Sequence, residues 1–256
     1  MEKKLLPVIE ARELSLNYDD YMVMRGLNFR VNKGDIFIVM GGSGCGKSTI
    51  LKALIGLKEP DAGTVLYDGK DFWADLVLQN QIMRGIGVLY QSGALWSSFT
   101  LGENVALPLQ LYSELSSLQI REIVELKLAL VGLAGYADFY PAEISGGMRK
   151  RAGLARAIAL DPEIIFFDEP SAGLDPVSAR LLDELILQIR DVLGATIVVV
   201  THELPSIFVV GNNSIFLDAQ AKTMIAEGNP RDLLAHSSDP RVVRFLTRGE
   251  RQVAAK

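Results

Sequence analysis

At 256 residues, 49% hydrophobic and 22% charged, the chain is long enough for one large folded domain and too apolar to be disordered. A formal net charge of −5 offers no basic surface to a nucleic-acid backbone, and no apolar run approaches the roughly 18 residues that a membrane helix needs, so a soluble protein is expected. The single cysteine, Cys45, excludes an internal disulfide and favours a reducing setting, and Met1 to Pro7 holds two lysines with no apolar core, so no signal peptide is expected.

Along the chain, Val8 to Leu16 and Gly26 to Val31 read as strands, and Asn32-Lys33-Gly34-Asp35 as a hairpin turn. That tetrapeptide mimics the guanine-specifying motif of GTPases, but it stands on the wrong side of the glycine loop. An apolar strand, Ile36 to Met40, leads into Gly41-Gly42-Ser43-Gly44-Cys45-Gly46-Lys47-Ser48-Thr49, and a helix follows to about Gly56. Strand, glycine loop and helix is the setting in which G-x-x-x-x-G-K-[ST] is a phosphate-binding loop. Glycines let backbone N–H groups curl round phosphate oxygens, and the helix start adds its positive dipole end. Lys47 brings a full positive charge to the β- and γ-phosphates, and Ser48 offers a hydroxyl to Mg²⁺. A nucleoside triphosphate is therefore the expected ligand.

Gly63 to Tyr67 is a strand closed by Asp68-Gly69, and Gly85 to Tyr90 is another. From Ser92 to about Leu160 the pattern is helical: Leu101 to Tyr112, with a break or kink expected at Pro108, then Ser116 to Gly132, then a basic helix opened by Ser145-Gly146-Gly147. Ser145 is a good N-cap there, and the two glycines let a backbone approach an anion. Alone the tetrapeptide also reads as a simple cap and turn; as an anion cradle it would be second to the nucleotide's own loop, and so would suit a nucleotide held by another copy. Arg149, Lys150, Arg151 and Arg156 read as a solvated helix face or as an attractor for that second triphosphate.

Strands return at Ile164 to Phe167 and Thr196 to Val200, with a helix from Val177 to Leu193 between them. Asp168 and Glu169 end the first of these strands. Asp168 is placed to hold Mg²⁺ and Glu169 to orient or deprotonate an attacking water. Further strands at Asn213 to Asp218 and Lys222 to Glu227 precede short helices. The β–α–β order implies a P-loop α/β fold of the RecA-like kind: a parallel sheet core, an antiparallel side sheet and an inserted helical subdomain. The boundaries expected are a nucleotide-binding core at 1–91 and 161–235, a helical subdomain at 92–160 and a tail at 236–256, all in one domain.

Six motifs stand in one order: the phosphate loop, Gln91, Ser145-Gly146-Gly147, Phe167-Asp168-Glu169-Pro170, Ser171-Ala172-Gly173-Leu174-Asp175, and His202. The set resembles the nucleotide-binding subunit of ATP-binding-cassette (ABC) transporters over about residues 8 to 230. The resemblance implies ATP and Mg²⁺ as cofactors, and a head-to-tail homodimer with each ATP between a phosphate loop and the opposite Ser145-Gly146-Gly147. It also implies that Tyr18 stacks on adenine, unless it is a core tyrosine. Gln91 would sense Mg²⁺ and the membrane partner, Asp175 would cross the dimer interface, and His202 would contact the γ-phosphate. Met148 stands where the family usually has glutamine, whose amide hydrogen bonds it cannot make.

Gln91-Ser92-Gly93-Ala94-Leu95-Trp96, Glu103 to Leu109, Ser145 to Ala152 and Asp239 to Leu246 are similar to the ATPases of Mla/Mce-type lipid transport systems. That likeness implies a peripheral ATPase on the cytoplasmic face of a bacterial inner membrane, beneath transmembrane permease subunits and an Mce-type lipid-binding subunit. Uptake of a small polar solute, such as an amino acid, is the other transport reading. A non-transport mechanical ABC protein acting on DNA or ribosomes is disfavoured by the single cassette, and no nucleic-acid partner is expected. Ala94, Leu95, Trp96 and Phe99 are candidates either for a permease groove or for lobe core.

Overall fold

The computed structural model describes residues 7–249. Most of the amino-terminal stretch read as lacking a signal peptide, and the end of the 236–256 tail, lie outside them. Backbone contacts divide the chain into two compact units, one made of the residues up to Met83 with those from Thr196 onward, the other Arg84–Ala195.

The first unit opens with two long antiparallel strands, β1 (Pro7–Tyr18) and β2 (Tyr21–Asn32). Asp19, at φ 49°, makes the tight turn between Tyr18 and Tyr21. The expected Asn32 to Asp35 turn is present, with Asp35 N–H donating to the Asn32 carbonyl at 3.1 Å and the Asp35 carboxylate accepting from Asn32 N–H at 3.0 Å. It is not a hairpin, because β3 (Ile36–Gly41) leaves for a different sheet. The phosphate loop and α1 (Lys47–Leu54) follow, then β4 (Ala62–Tyr67), the two-residue β5 (Lys70–Asp71) and α2 (Leu76–Arg84). The side sheet has the order β2-β1-β4-β5.

The second unit runs from β6 (Ile86–Leu89) through α3 (Leu101–Tyr112), α4 (Ser117–Leu130) and α5 (Gly146–Ala157) to β7 (Ile164–Asp168) and α6 (Pro176–Leu193). β6 and β7 pair in parallel from Ile86↔Ile164 to Leu89↔Phe167, so the three helices form the crossover between them. α3 starts at a capping box of Thr100 and Glu103, and α4 at one of Ser116 and Gln119. Of the break or kink expected at Pro108, the break does not occur. Pro108 removes a single hydrogen bond, and α3 is assigned through it to Tyr112.

The chain then re-enters the first unit with β8 (Thr196–Val200), α7 (Leu204–Val210), β9 (Asn213–Asp218), β10 (Thr223–Glu227), α8 (Pro230–His236) and α9 (Pro240–Leu246). β3 lies between β8 and β9, parallel to both. Ile36 to Met40 are fully buried, which is why this strand is apolar at every position rather than at alternate ones. Each such side chain contributes about 1.5–3 kcal/mol, so the strand that delivers the phosphate loop is among the best anchored in the unit. The expected α/β architecture, with a parallel core, an antiparallel side sheet and a helical lobe, is present.

Candidate active site

β3 ends at Gly41, whose φ is +154°. A Cβ there would lie 2.6 Å from the Leu217 carbonyl oxygen and 2.7 Å from the Cys45 sulfur, so only glycine fits. α1 is entered through left-handed Gly46 (φ 91°), which has no side chain to cap the helix. Lys47 is 7% exposed and folds back over the loop, its Nζ donating to the Gly41 and Gly42 carbonyls at 3.0 Å each. Gly42, Ser43, Gly44 and Ser48 are exposed and Thr49 partly so. Cys45 is 1% exposed, and burial pushes its thiol up. Its side chain belongs to the packing behind Gly41.

Two other predicted residues lie in the same unit. Tyr18 is 45% exposed, which removes the core alternative. The Lys58 and Lys52 ammonium groups stand 4.9 Å and 5.9 Å from its ring centroid, an electrostatic framing of an accessible aromatic face. His202 follows β8; its ring is half-exposed, 3.9 Å from the Glu203 carboxylate. With Gly42 and Cys45 it lines a cleft of about 540 Å³ whose apolar wall includes Phe216 and Leu217. The structure thus brings His202 to the side of the phosphate loop.

In the second unit β7 ends at Asp168, and Glu169 comes next with φ +46°, a left-handed conformation that costs a non-glycine residue about 1–3 kcal/mol. A tight turn follows, with Ala172 N–H donating to the Glu169 carbonyl at 3.2 Å and Leu174 N–H to that of Ser171 at 3.1 Å. The turn ends at Asp175, whose carboxylate caps α6 by accepting from Val177 and Ser178 N–H at 3.0 Å each. The hydrogen bonds from Ser178 hold the Asp175 carboxyl below its ordinary value. Asp175 therefore has a role inside its own chain beside the interface role expected for it. Gln91 is exposed, in a turn closed by Gly93 N–H to the Tyr90 carbonyl at 2.8 Å.

The segment after Gln91 is pinned by Asn104, which sequence reasoning did not single out. Asn104 is fully buried; its Oδ1 accepts from Trp96 N–H at 2.8 Å and its Nδ2 donates to the Trp96 and Thr100 carbonyls at 3.1 and 2.9 Å. Trp96 itself is 58% exposed and is therefore not lobe core; its ring lies 6.1 Å from that of Phe99.

α5 begins at the Ser145-Gly146-Gly147 expected to form a second anion cradle. Ser145 caps it, accepting from Met148 N–H at 3.2 Å, and Ser145 and Gly146 are exposed. The basic cluster is not a plain solvated helix face, because each cation is turned onto backbone carbonyls. Arg149 donates to Ile144 at 2.9 Å, Lys150 to Pro170 and Ala172, Arg151 to Val131 and Gly132 at 3.2 Å, and Arg156 to Ala94 at 2.8 Å. Burial pushes the Lys150 amine and the Arg156 guanidinium down. A helical period would have separated Lys150 from a solvated face, since it shares a stripe with Leu154 and Ile158, both buried.

The ABC transporter family profile matches residues 24–172, more than half of the chain and a span that holds the phosphate loop, the Ser-Gly-Gly helix start and Asp168-Glu169. The chain belongs to the ABC transporter family. It is similar to the intermembrane phospholipid transport system ATP-binding protein MlaF of Haemophilus influenzae, at 40% identity over 93% of this chain and 90% of that one. The MlaF of Escherichia coli is 36% identical over 96% and 91%. A Mycobacterium tuberculosis protein described as a "probable ribonucleotide transport ATP-binding protein", mkl, is 41% identical over 93% of this chain and 66% of its own length.

Among solved structures, cbiO1 from Clostridium perfringens, part of the ABC transporter complex cbiONQ, aligns over 94% of this chain and 96% of its own, with TM-score 0.82 and 26% identity. The ATP-binding cassette MJ0796, a dimer in a post-hydrolysis state with ADP and Pi, aligns over 86% and 98%, with TM-score 0.78 and 28% identity. This ABC subunit is an ATP-binding, ATP-hydrolysing protein.

Proposed function

We propose that this ABC ATPase works as a head-to-tail homodimer that hydrolyses MgATP to drive lipid, most specifically phospholipid, transport through a separate membrane permease. The observation that carries the dimer is the space around three glycines. A Cβ on Gly42 would meet nothing within 4 Å, and on Gly146 or Gly147 nothing closer than 3.7 Å. None of the three has a positive φ. The chain's own packing gives no reason for glycine at these positions, whereas a phosphate approaching the backbone does. Two such surfaces, the phosphate loop and the start of α5, suit one nucleotide shared by two copies.

In this reading Tyr18 stacks on adenine, and backbone N–H groups of residues 41–49 with Lys47 hold the phosphates. Ser145, Gly146 and Gly147 close on the same nucleotide from the other copy, and Asp175 lies at the junction of the copies. Glu169 takes a proton from the attacking water and His202 donates to the γ-phosphate. Ser48, Gln91 and Asp168 present only oxygen donors, the set that suits Mg²⁺, and among the described residues no group of three or more His, Cys, Asp or Glu forms a metal cage. These oxygens fit an ion held largely by the nucleotide's phosphates. When bound, Mg²⁺ neutralises charge that develops on the transferring phosphoryl group.

No helix among the described residues is long and apolar enough to cross a membrane. We place the ATPase peripherally on the cytoplasmic face of the inner membrane, with a permease and an Mce-type lipid-binding subunit. The lipid assignment rests on the MlaF relatives, matched over nine-tenths of both chains, and the mycobacterial name makes a nucleotide-like solute the competing cargo. Purifying the intact membrane complex and identifying co-purified small molecules by mass spectrometry decides between them. Phospholipid is expected; a complex free of lipid but bound to a polar solute overturns the lipid assignment and leaves the ATPase reading standing.

A further inference from the structure

Lys150 is a cation without a solvent-facing role. It sits on α5, one turn beyond the Ser145-Gly146-Gly147 cradle, and is 6% exposed. Its Nζ donates to the Pro170 carbonyl at 2.7 Å and to the Ala172 carbonyl at 2.5 Å. Those two carbonyls belong to the turn that immediately follows Glu169. Both bonds have a charged donor, which makes them stronger than bonds from a neutral group.

Glu169 needs such support. Its φ of +46° is a conformation that L side chains avoid, and it persists only where neighbours over-determine it. The turn's own backbone bonds, Ala172 to Glu169 and Leu174 to Ser171, are 3.2 and 3.1 Å long, and Pro170 has no N–H to add a third. The ammonium, arriving from another element, ties the turn down from outside. The charge has a second effect: burial pushes the Lys150 amine down while the Glu169 carboxylate pulls it up, so the two groups interact electrostatically.

We propose that Lys150 is a positioning residue for hydrolysis: it holds the 170–172 turn that fixes Glu169, and so links the anion cradle at the start of α5 to the carboxylate at the end of β7. The proposal rests on Glu169 being the general base. A nucleotide settling on the Ser145 end of α5 then acts, through one rigid helix, on the geometry of the carboxylate in the same copy. Lys150 touches no substrate; its action is on where Glu169 points.

The test uses the full chain and three variants. Lys150→Met keeps an unbranched side chain, one atom shorter, and leaves both carbonyls without their donor; Lys150→Gln is equally one bond short but retains an amide donor. For Lys150→Met we expect kcat to fall by about tenfold or more with KM for MgATP and nucleotide affinity changed by less than about twofold. Lys150→Gln is expected to lie between it and the unchanged protein, losing severalfold.

In a Glu169→Gln background, single-turnover hydrolysis should show no further loss from either Lys150 substitution, because the group being positioned is gone. A wild-type kcat in either Lys150 variant, a rise in KM with kcat intact, or an equal further loss on Glu169→Gln would overturn the proposal. If Lys150→Met does not fold, Lys150→Gln alone answers the question by the same criteria. Normal hydrolysis by Glu169→Gln instead overturns the general-base reading, and so is distinguishable from failure of the Lys150 link.

Discussion

Single side chains in this site do two kinds of work that composition does not separate. Lys47 and Lys150 are both buried lysines whose ammonium groups rest on backbone carbonyls, yet one lies on the phosphate loop and the other behind Glu169. The phosphate-loop lysine is legible because its motif fixes its neighbours; Lys150 sits in a run of charges that looks like surface until the turn it reaches is known. Cys45 is a similar case. The motif places it beside the phosphates, but the backbone turns its thiol inward, 1% exposed and pushed up by burial. Maleimide at neutral pH should therefore label native Cys45 at least ten times more slowly than the unfolded chain, since the thiolate reacts and little of it forms or is reachable. Labelling at the rate of an exposed thiol would contradict this placement.

At the scale of elements, α5 is the informative helix. It meets its own chain on one face and leaves its start open. Gly153 packs so tightly that a Cβ would lie 2.8 Å from the Gly93 carbonyl oxygen, whereas a Cβ on Gly147 would find ordinary contacts at 3.8 Å. Gly153→Ala should lower the melting temperature by several degrees through overpacking. Gly147→Ala should leave it unchanged within about a degree, yet abolish ATP-dependent dimerisation and most turnover. Thermal unfolding and ATPase assays on the pair check this, and a destabilised Gly147→Ala with normal turnover would reverse the assignment. Strands β3, β7 and β8 and helices α3 to α6 were readable from apolar runs, caps and period. α2 was not singled out; none of its residues is fully buried, and Leu78, Ile82 and Met83 are half-buried along one side. The early start of β2 was hidden for a related reason: Tyr21 and Met22 are exposed, and their pairing with β1 comes from backbone hydrogen bonds.

For the whole molecule, the order of motifs revealed the fold class and most of the candidate site, since phosphate loop, Ser-Gly-Gly, Asp-Glu and histidine each come with a demanded position on a strand or helix end. The supports of those motifs, Asn104 under the segment after Gln91 and Lys150 under the turn after Glu169, were not visible, because they act on backbone groups, and no motif marks which backbone groups a polar side chain will reach. Exposed Trp96 gives this segment an outward apolar face. Trp96→Ala should leave basal ATPase activity unchanged while cutting permease pull-down and coupled transport severalfold; intact coupling in a folded Trp96→Ala subunit would remove Trp96 from the contact. The shared-nucleotide dimer with Glu169 as its hydrolytic carboxylate is tested most directly by steady-state ATPase activity and light-scattering mass of Glu169→Gln in MgATP. The account predicts normal ATP binding, turnover lowered by roughly a hundredfold or more, and a stable dimer that dissociates when ATP is removed. Near-normal hydrolysis by a monomeric Glu169→Gln protein would contradict it.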